Sequence, residues 1–112
     1  MKNICAYLLI AFVLFTFLSC EKEISYSYEV TGTSGNYSVT IQNADNNTQQ
    51  WSTVGNGWKY NWTQTGTRWL YFSAQNNNST GNVTVKIYRG SKVVAENTSY
   101  GGYSIATVSG DY

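Results

Sequence analysis

"WSTVGNGWKYNWTQTGTRWLY", residues 51–71, contains all four tryptophans of this 112-residue chain. Apolar and polar side chains alternate along it, and two short segments that contain glycine interrupt the alternation. Alternation with a period of two predicts β-strands with one buried face, and the glycine segments predict turns between them. The stretch therefore predicts three consecutive strands, which we place around residues 49–54, 58–62 and 68–74.

The same pattern continues on both sides of this stretch. Further strands are predicted at residues 24–31, 37–42 and 83–87, at 93–95 after the turn "RGSK", and at 103–108. The chain has no proline, and no segment of the mature part shows a convincing helical period. We predict one all-β domain at residues 24–112, with seven or eight strands in two antiparallel sheets packed face to face.

Alternation also predicts which tryptophans fill the core. Trp58, Tyr60 and Trp62 share one face of their strand, opposite Lys59 and an asparagine. Because lysine and asparagine belong in water, we expect the three rings to point inward. Trp51 shares its face with polar residues, while the other face of its strand holds only a valine, so alternation leaves the side of Trp51 open.

The next strand has aromatic residues on its other face. Leu70 and Phe72 form a core face, which places Trp69 and Tyr71 on the opposite, exposed side. By the same alternation Tyr88 faces outward on its strand. We take Trp69, Tyr71 and Tyr88 as the candidate binding surface. Exposed rings of this kind stack on sugars, contact a protein, or stiffen the sheet by cross-strand packing.

The first residues, "MKNICAYLLIAFVLFTFLSCEKE", are typical of an export signal. A lysine at position 2 precedes an apolar run that is shorter than the roughly 20 residues of a membrane-spanning helix. The end "FLSC" resembles a bacterial lipoprotein signal, in which the cysteine is acylated. The resemblance implies a signal peptide at residues 1–19, acyl chains (palmitate) on Cys20 and a lipidated tether at 20–23. An ordinary secretory signal cleaved near Ser19 and an uncleaved anchor are the alternatives.

Two acyl chains hold a protein stably on a membrane. We therefore expect a lipoprotein of the cell envelope, on the periplasmic or the surface face of the outer membrane. The membrane is its first expected partner, through the acyl chains on Cys20.

Charge and residue types exclude several functions. Of seven basic residues Lys2 leaves with the signal, so six basic and six acidic residues remain, and a neutral chain predicts no nucleic-acid partner. There is no histidine, and the two cysteines are Cys5, in the signal, and Cys20, the lipid carrier. We therefore expect no disulfide, no catalytic residues, no metal and no cofactor. The segment at residues 43–47, "NADNN", is interpreted as a hairpin loop and not a calcium loop.

Residues 71–110, "YFSAQNNNSTGNVTVKIYRGSKVVAENTSYGGYSIATVSG", resemble a known family. They are similar to the C-terminal half of the mycobacterial membrane protein small (MmpS) family. The matching pieces are residues 73–76, 82–87, 92–99 and 103–109, and upstream residues 28–32, 47–50 and Trp58. The resemblance implies an immunoglobulin-like β-sandwich outside a membrane, acting as an accessory protein to MmpL transporters that export lipids and siderophores.

Two departures from that family affect what is carried over. Where the family often has two cysteines, this chain has Val85 and Val108, which implies an apolar contact in place of a disulfide across neighbouring strands. The family is tethered by a membrane helix and not by lipid, and the proline that precedes its tryptophan is missing here.

Three functional hypotheses follow for a lipid-anchored, non-enzymatic protein. It is an accessory or adaptor module for an envelope protein complex such as an exporter, or a small glycan-binding lipoprotein that uses Trp69 and Tyr71. The third hypothesis is a structural or immune-facing surface lipoprotein without a specific small ligand.

Overall fold

The computed structural model describes residues 22–112, and the predicted signal peptide and Cys20 lie outside the described residues. The strands are β1 Glu23–Gly32, β2 Tyr37–Gln42, β3 Thr48–Val54, β4 Trp58–Thr65, β5 Trp69–Asn76, β6 Asn82–Arg89, β7 Lys92–Tyr100 and β8 Ile105–Asp111. No part of this described chain forms a helix long and apolar enough to cross a membrane. Strand β1 begins at Glu23, the last residue of the predicted tether.

The strands form two antiparallel sheets of four. Sheet I has the order β4–β1–β6–β7, and sheet II has the order β3–β2–β5–β8. Only β2–β3 and β6–β7 are hairpins within a sheet, and every other connection crosses between sheets. The predicted all-β sandwich of seven or eight strands is thus confirmed, with eight strands. Two packed antiparallel sheets are also the architecture of immunoglobulin-like domains, but this chain connects its strands in its own order.

Every strand runs between the same two ends of the sandwich. The start of β1 pairs with the end of β4, Glu23 with Thr65, and this end, which we call the tether end, also has the loops at 43–47, 66–68 and 90–91. The opposite end, which we call the distal end, has the connections at 33–36, 55–57, 77–81 and 101–104. Antiparallel pairing fixes this division, because each strand returns the chain to the opposite end.

Aromatic rings fill much of the space between the sheets. Trp62 is 8% exposed, and its ring centroid lies 4.6 Å from that of Tyr28 and 5.5 Å from that of Tyr26. Trp58 and Tyr60 are half-buried against the same core. The prediction that Trp58, Tyr60 and Trp62 face the core is confirmed. Rings of this size each bury roughly 150–250 Å², which stabilises a small core that has no disulfide in its described part.

A β-bulge on β3 follows Trp51 and explains why Trp51 and Val54 both face the core. Val39 pairs with Trp51 and Tyr37 pairs with Val54, so β3 has one more residue than β2 between these two pairs. The extra residue shifts the alternation, and both Trp51 and Val54 point inward. The Trp51 ring then packs 4.9 Å from the Trp58 ring, between the edge strands of the two sheets.

A second bulge lies on β7. Ile87 pairs with Ala95 and Tyr88 pairs with Val93, which leaves Val94 without a partner on β6. Val94 and Ala95 consequently both pack against the core. Both bulges are therefore on edge strands, β3 in sheet II and β7 in sheet I.

The two valines at the expected cysteine positions lie in the core but not on neighbouring strands. Val85 is fully buried on β6 of sheet I, and Val108 is 8% exposed on β8 of sheet II. The expectation of a contact between neighbouring strands is wrong in that respect, because the two strands belong to facing sheets.

Candidate functional site

The outer face of sheet II carries the exposed aromatic pair predicted from the sequence. Trp69 is 50% exposed and Tyr71 is partly buried, while Leu70 and Phe72 are fully buried on the inner face. The two outer rings stack, with centroids 6.0 Å apart and planes 20° apart. Stacking on Tyr71 orders the Trp69 ring and leaves about half of the residue available for contact.

Polar side chains continue this face beyond the pair. A row of polar side chains crosses all four strands. Gln50 donates to Thr40 at 3.3 Å and Thr107 donates to Ser73 at 3.2 Å, and Thr40 and Ser73 are strand partners. A shallow depression of about 440 Å³ lies over β2 and β3, where Ser38, Thr40, Gln50 and Ser52 line it. Hydroxyl and amide groups next to ordered rings suit a polar ligand with apolar faces, such as a sugar chain.

Tyr88 does not belong to this surface. It faces outward on β6 of sheet I, so the sandwich separates it from Trp69 and Tyr71. Its hydroxyl donates to a Glu29 carboxylate oxygen at 2.7 Å, and the Lys59 ammonium lies 5.5 Å from its ring centroid. The hydrogen bond to Glu29 raises the pKa of Tyr88, with smaller contributions from burial and the nearby charge. The three predicted residues thus form one pair and one separate, internally engaged tyrosine.

The outer face of sheet I carries a row of charged side chains. Strand pairing places Lys59, Glu29, Lys86 and Glu96 in one row with alternating sign across β4, β1, β6 and β7. Opposite charges directly across strands contribute roughly 0.2–1 kcal/mol per pair. Because the signs alternate along the row, this face has no patch of a single charge.

Beside this row, a depression of about 490 Å³ lies over β1, β4 and the turn at Gly90. Its lining is mainly small polar side chains, Ser25, Ser27, Asn61 and Thr63. Tyr26 is the one ionisable residue in its lining. The depression therefore does not have the groups expected of a catalytic site.

The distal end carries exposed apolar side chains that sequence reasoning missed. Tyr100 is 77% exposed, Tyr103 59% and Ile105 56%, and all three lie on or beside the β7–β8 connection. The four distal connections contain only Thr, Ser, Gly, Asn and Tyr, and no charged residue. Tyrosine with small polar residues and without charge is the composition of many protein-binding loops.

Tyr103 is held in a strained backbone conformation. Its φ is 59°, in the left-handed region that costs a non-glycine residue roughly 1–2 kcal/mol. The sequence predicted a strand at residues 103–108, and that prediction is wrong for Tyr103, because β8 begins at Ile105. The preceding "GG" is the signal that could have indicated a tight turn, since Gly101 also has a positive φ of 106°.

A fully buried side chain fixes this turn. The Asn76 side-chain amide donates to the carbonyl oxygens of Thr80 at 2.9 Å and Gly101 at 3.1 Å. Its own amide oxygen accepts from the backbone N–H of Asn78 at 3.0 Å, and the Asn78 carbonyl accepts from the N–H of Tyr103 at 3.0 Å. The strained tyrosine is therefore held by a buried hydrogen-bond network, which is the arrangement expected when a backbone conformation serves function.

The tether end is built differently, around Arg68. Its guanidinium donates to the carbonyl oxygens of Asn43 at 2.8 Å and Ala44 at 3.0 Å, and lies 6.0 Å from the Trp62 ring centroid. Its backbone exchanges two hydrogen bonds with Tyr112. Arg68 thus joins the β2–β3 loop, the β4–β5 connection and the last residue of the chain.

Possible metal ligands are scattered over the described chain. Within residues 22–112 no group of three or more acidic, histidine or cysteine side chains is placed to hold a metal ion. Neither models of known protein families nor curated proteins match this chain.

Proposed function

We propose that this chain is a lipid-anchored, non-enzymatic binding module of the cell envelope, and that its distal end docks onto an envelope protein complex. Acyl chains on Cys20 hold it on the outer membrane, on the periplasmic or the surface face. The resemblance to accessory proteins of lipid and siderophore exporters makes a transporter the first partner to test.

The exposed connection between β7 and β8 at the distal end is the observation that carries the docking role. Tyr103 is exposed on this connection, with Tyr100 and Ile105 exposed at the ends of the two strands that it joins. The distal loops contain no charge, and a buried network holds Tyr103 in a strained conformation. Interfaces concentrate tyrosine at their centres and exclude charge there. A rigid turn also loses little conformational entropy when a partner binds.

The anchor is tested by Cys20→Ser in cells. The variant is expected to leave the membrane fraction and become soluble, while the wild-type protein stays membrane-bound and incorporates labelled palmitate. A Cys5→Ser variant is the matched control, because Cys5 lies in the part removed with the signal. Persistence of the Cys20→Ser protein in membranes would overturn the anchor.

The docking surface is tested with a photoreactive residue in the native envelope. Placed at Tyr103, it should crosslink one envelope protein, and excess soluble Cys20→Ser domain should compete. The same residue at Tyr88, which is engaged within sheet I, is the control. Identical adducts at both positions would argue against a distal docking surface, and adducts that contain no transporter component would argue against the exporter version.

A second candidate function, glycan binding, is favoured by the stacked pair Trp69 and Tyr71 beside the polar row of sheet II. Trp69→Ala and Tyr71→Ala are then expected to abolish binding of the soluble domain to a panel of neutral glycans, whereas Tyr88→Ala retains it. This candidate is wrong if no glycan binds, or if the pair variants bind as the wild type does.

A further inference from the structure

The exposed apolar side chains of the sandwich are divided between its two ends. Among residues 22–112 the exposed large apolar residues are Trp69, Val93, Tyr100, Tyr103 and Ile105. Trp69 is the first residue of β5 and Val93 the second of β7, so both lie at the tether end. The other three lie at the distal end. The two groups are separated by the length of the strands.

The predicted tether is too short to separate the tether end from the membrane. Cys20 precedes the first residue of β1, Glu23, by three residues. A chain spans at most about 3.3–3.6 Å per residue, so the start of β1 lies within roughly 11 Å of the acylated residue. This step rests on the lipidation proposed above.

From these two observations we propose that the tether end lies against the bilayer, with Trp69 in the lipid headgroup region. Tryptophan and tyrosine prefer this interface because their rings are apolar and carry one polar group. The stacked pair Trp69 and Tyr71 is then a lipid contact that sets the orientation of the domain. Tyr100, Tyr103 and Ile105 lie at the opposite end, away from the membrane in this orientation.

Charge contributes little to this contact. The basic residues at the tether end are Lys22, Arg68, Arg89 and Lys92, and the acidic residues there are Glu23, Asp45 and Asp111. The near balance predicts binding that depends on ring insertion and on acyl chains, and only weakly on anionic lipid. Arg89 and Lys92 flank the exposed Val93 and can extend their apolar stems along the surface.

The test uses lipidated protein purified from membranes and placed in vesicles of phosphatidylcholine and phosphatidylglycerol in a 7:3 ratio. Lipids brominated on the acyl chain near the headgroup quench tryptophan that lies at that depth. We expect strong quenching in the wild type, and at least a twofold smaller quenched fraction in Trp69→Phe. Trp58→Phe is the matched control, since Trp58 is packed between the sheets. Its quenched fraction should be no smaller than that of the wild type, because removing an unquenched tryptophan leaves Trp69 a larger share of the emission.

Each outcome separates the proposals. Protein that does not float with the vesicles refutes the lipid anchor and this inference together. Protein that floats without Trp69-dependent quenching refutes only the inference. Saturable quenching of Trp69 by a soluble neutral polysaccharide on vesicle-bound protein also refutes it, and assigns the pair to glycan binding.

Discussion

The strained turn at Tyr103 allows backbone strain to be measured separately from the ring. Tyr103→Gly and Tyr103→Ala both remove the ring of a residue that is 59% exposed, so the two variants differ in how well each adopts a φ of 59° and in the entropy of the unfolded chain. Alanine retains the left-handed penalty of roughly 1–2 kcal/mol, whereas glycine retains almost none. Against this, glycine loses about 0.4–1 kcal/mol through the greater entropy of the unfolded chain. The glycine variant should therefore be more stable by about 1 kcal/mol.

Urea denaturation of the soluble Cys20→Ser domain gives this difference as a free energy of unfolding. For a domain of this size, 1 kcal/mol corresponds to about 4–8 °C in the melting temperature. The same pair of substitutions at Thr67, an exposed loop residue without a positive φ, should show the opposite order, with alanine more stable. An alanine variant at Tyr103 as stable as the glycine variant would refute the assignment of strain. Loss of docking in both variants would then show that the ring is needed.

Three further substitutions test the stability of the two ends and of the core. Asn76→Asp places a carboxylate against two carbonyl oxygens, and urea denaturation should show a free energy of unfolding lower by at least about 3 kcal/mol. Asn78→Asp is the control and should lower it much less, because the Asn78 side chain makes neither of those contacts. Arg68→Ala removes two charge-assisted hydrogen bonds and should lower the free energy of unfolding by about 2–4 kcal/mol. Arg68→Lys keeps the charge without the forked guanidinium, so it should retain only part of that stability. Burial raises the pKa of Tyr28 above its ordinary 10.0, so stability should fall above pH 10.0, where only the unfolded chain ionises this phenol. Tyr28→Phe should show a weaker decline above that pH, and an unchanged decline would contradict the assignment.

Alternation was sufficient to predict the strands and most of the core. It assigns one side chain in two to each face, so the inward position of Trp62 and the outward position of Trp69 could be predicted from parity alone. It fails wherever a strand gains a residue. The bulge on β3 lets both Trp51 and Val54 face inward, and no single-residue signal in the segment indicates where the extra residue lies.

The pairing of strands and the distal surface could not be predicted in the same way. Sequence order does not show that Val85 and Val108 lie in facing sheets, because most connections cross between sheets. The exposure of Tyr103 depends on a left-handed turn that is fixed by Asn76, a residue 27 positions earlier. Long-range hydrogen bonds of this kind leave no local pattern in the sequence.

The two bulges have a consequence for molecules crowded on a surface. Anchored proteins that share one orientation meet side by side, with their outer strands aligned, at a local concentration far above that in solution. A regular outer strand would then recruit the strand of its neighbour and start a growing ribbon. The extra residues in β3 and β7 interrupt the spacing of free N–H and C=O groups on one border of each sheet. If the chain is anchored as proposed, these interruptions disfavour edge-to-edge pairing through β3 and β7, whereas β4 and β8 form the other two borders.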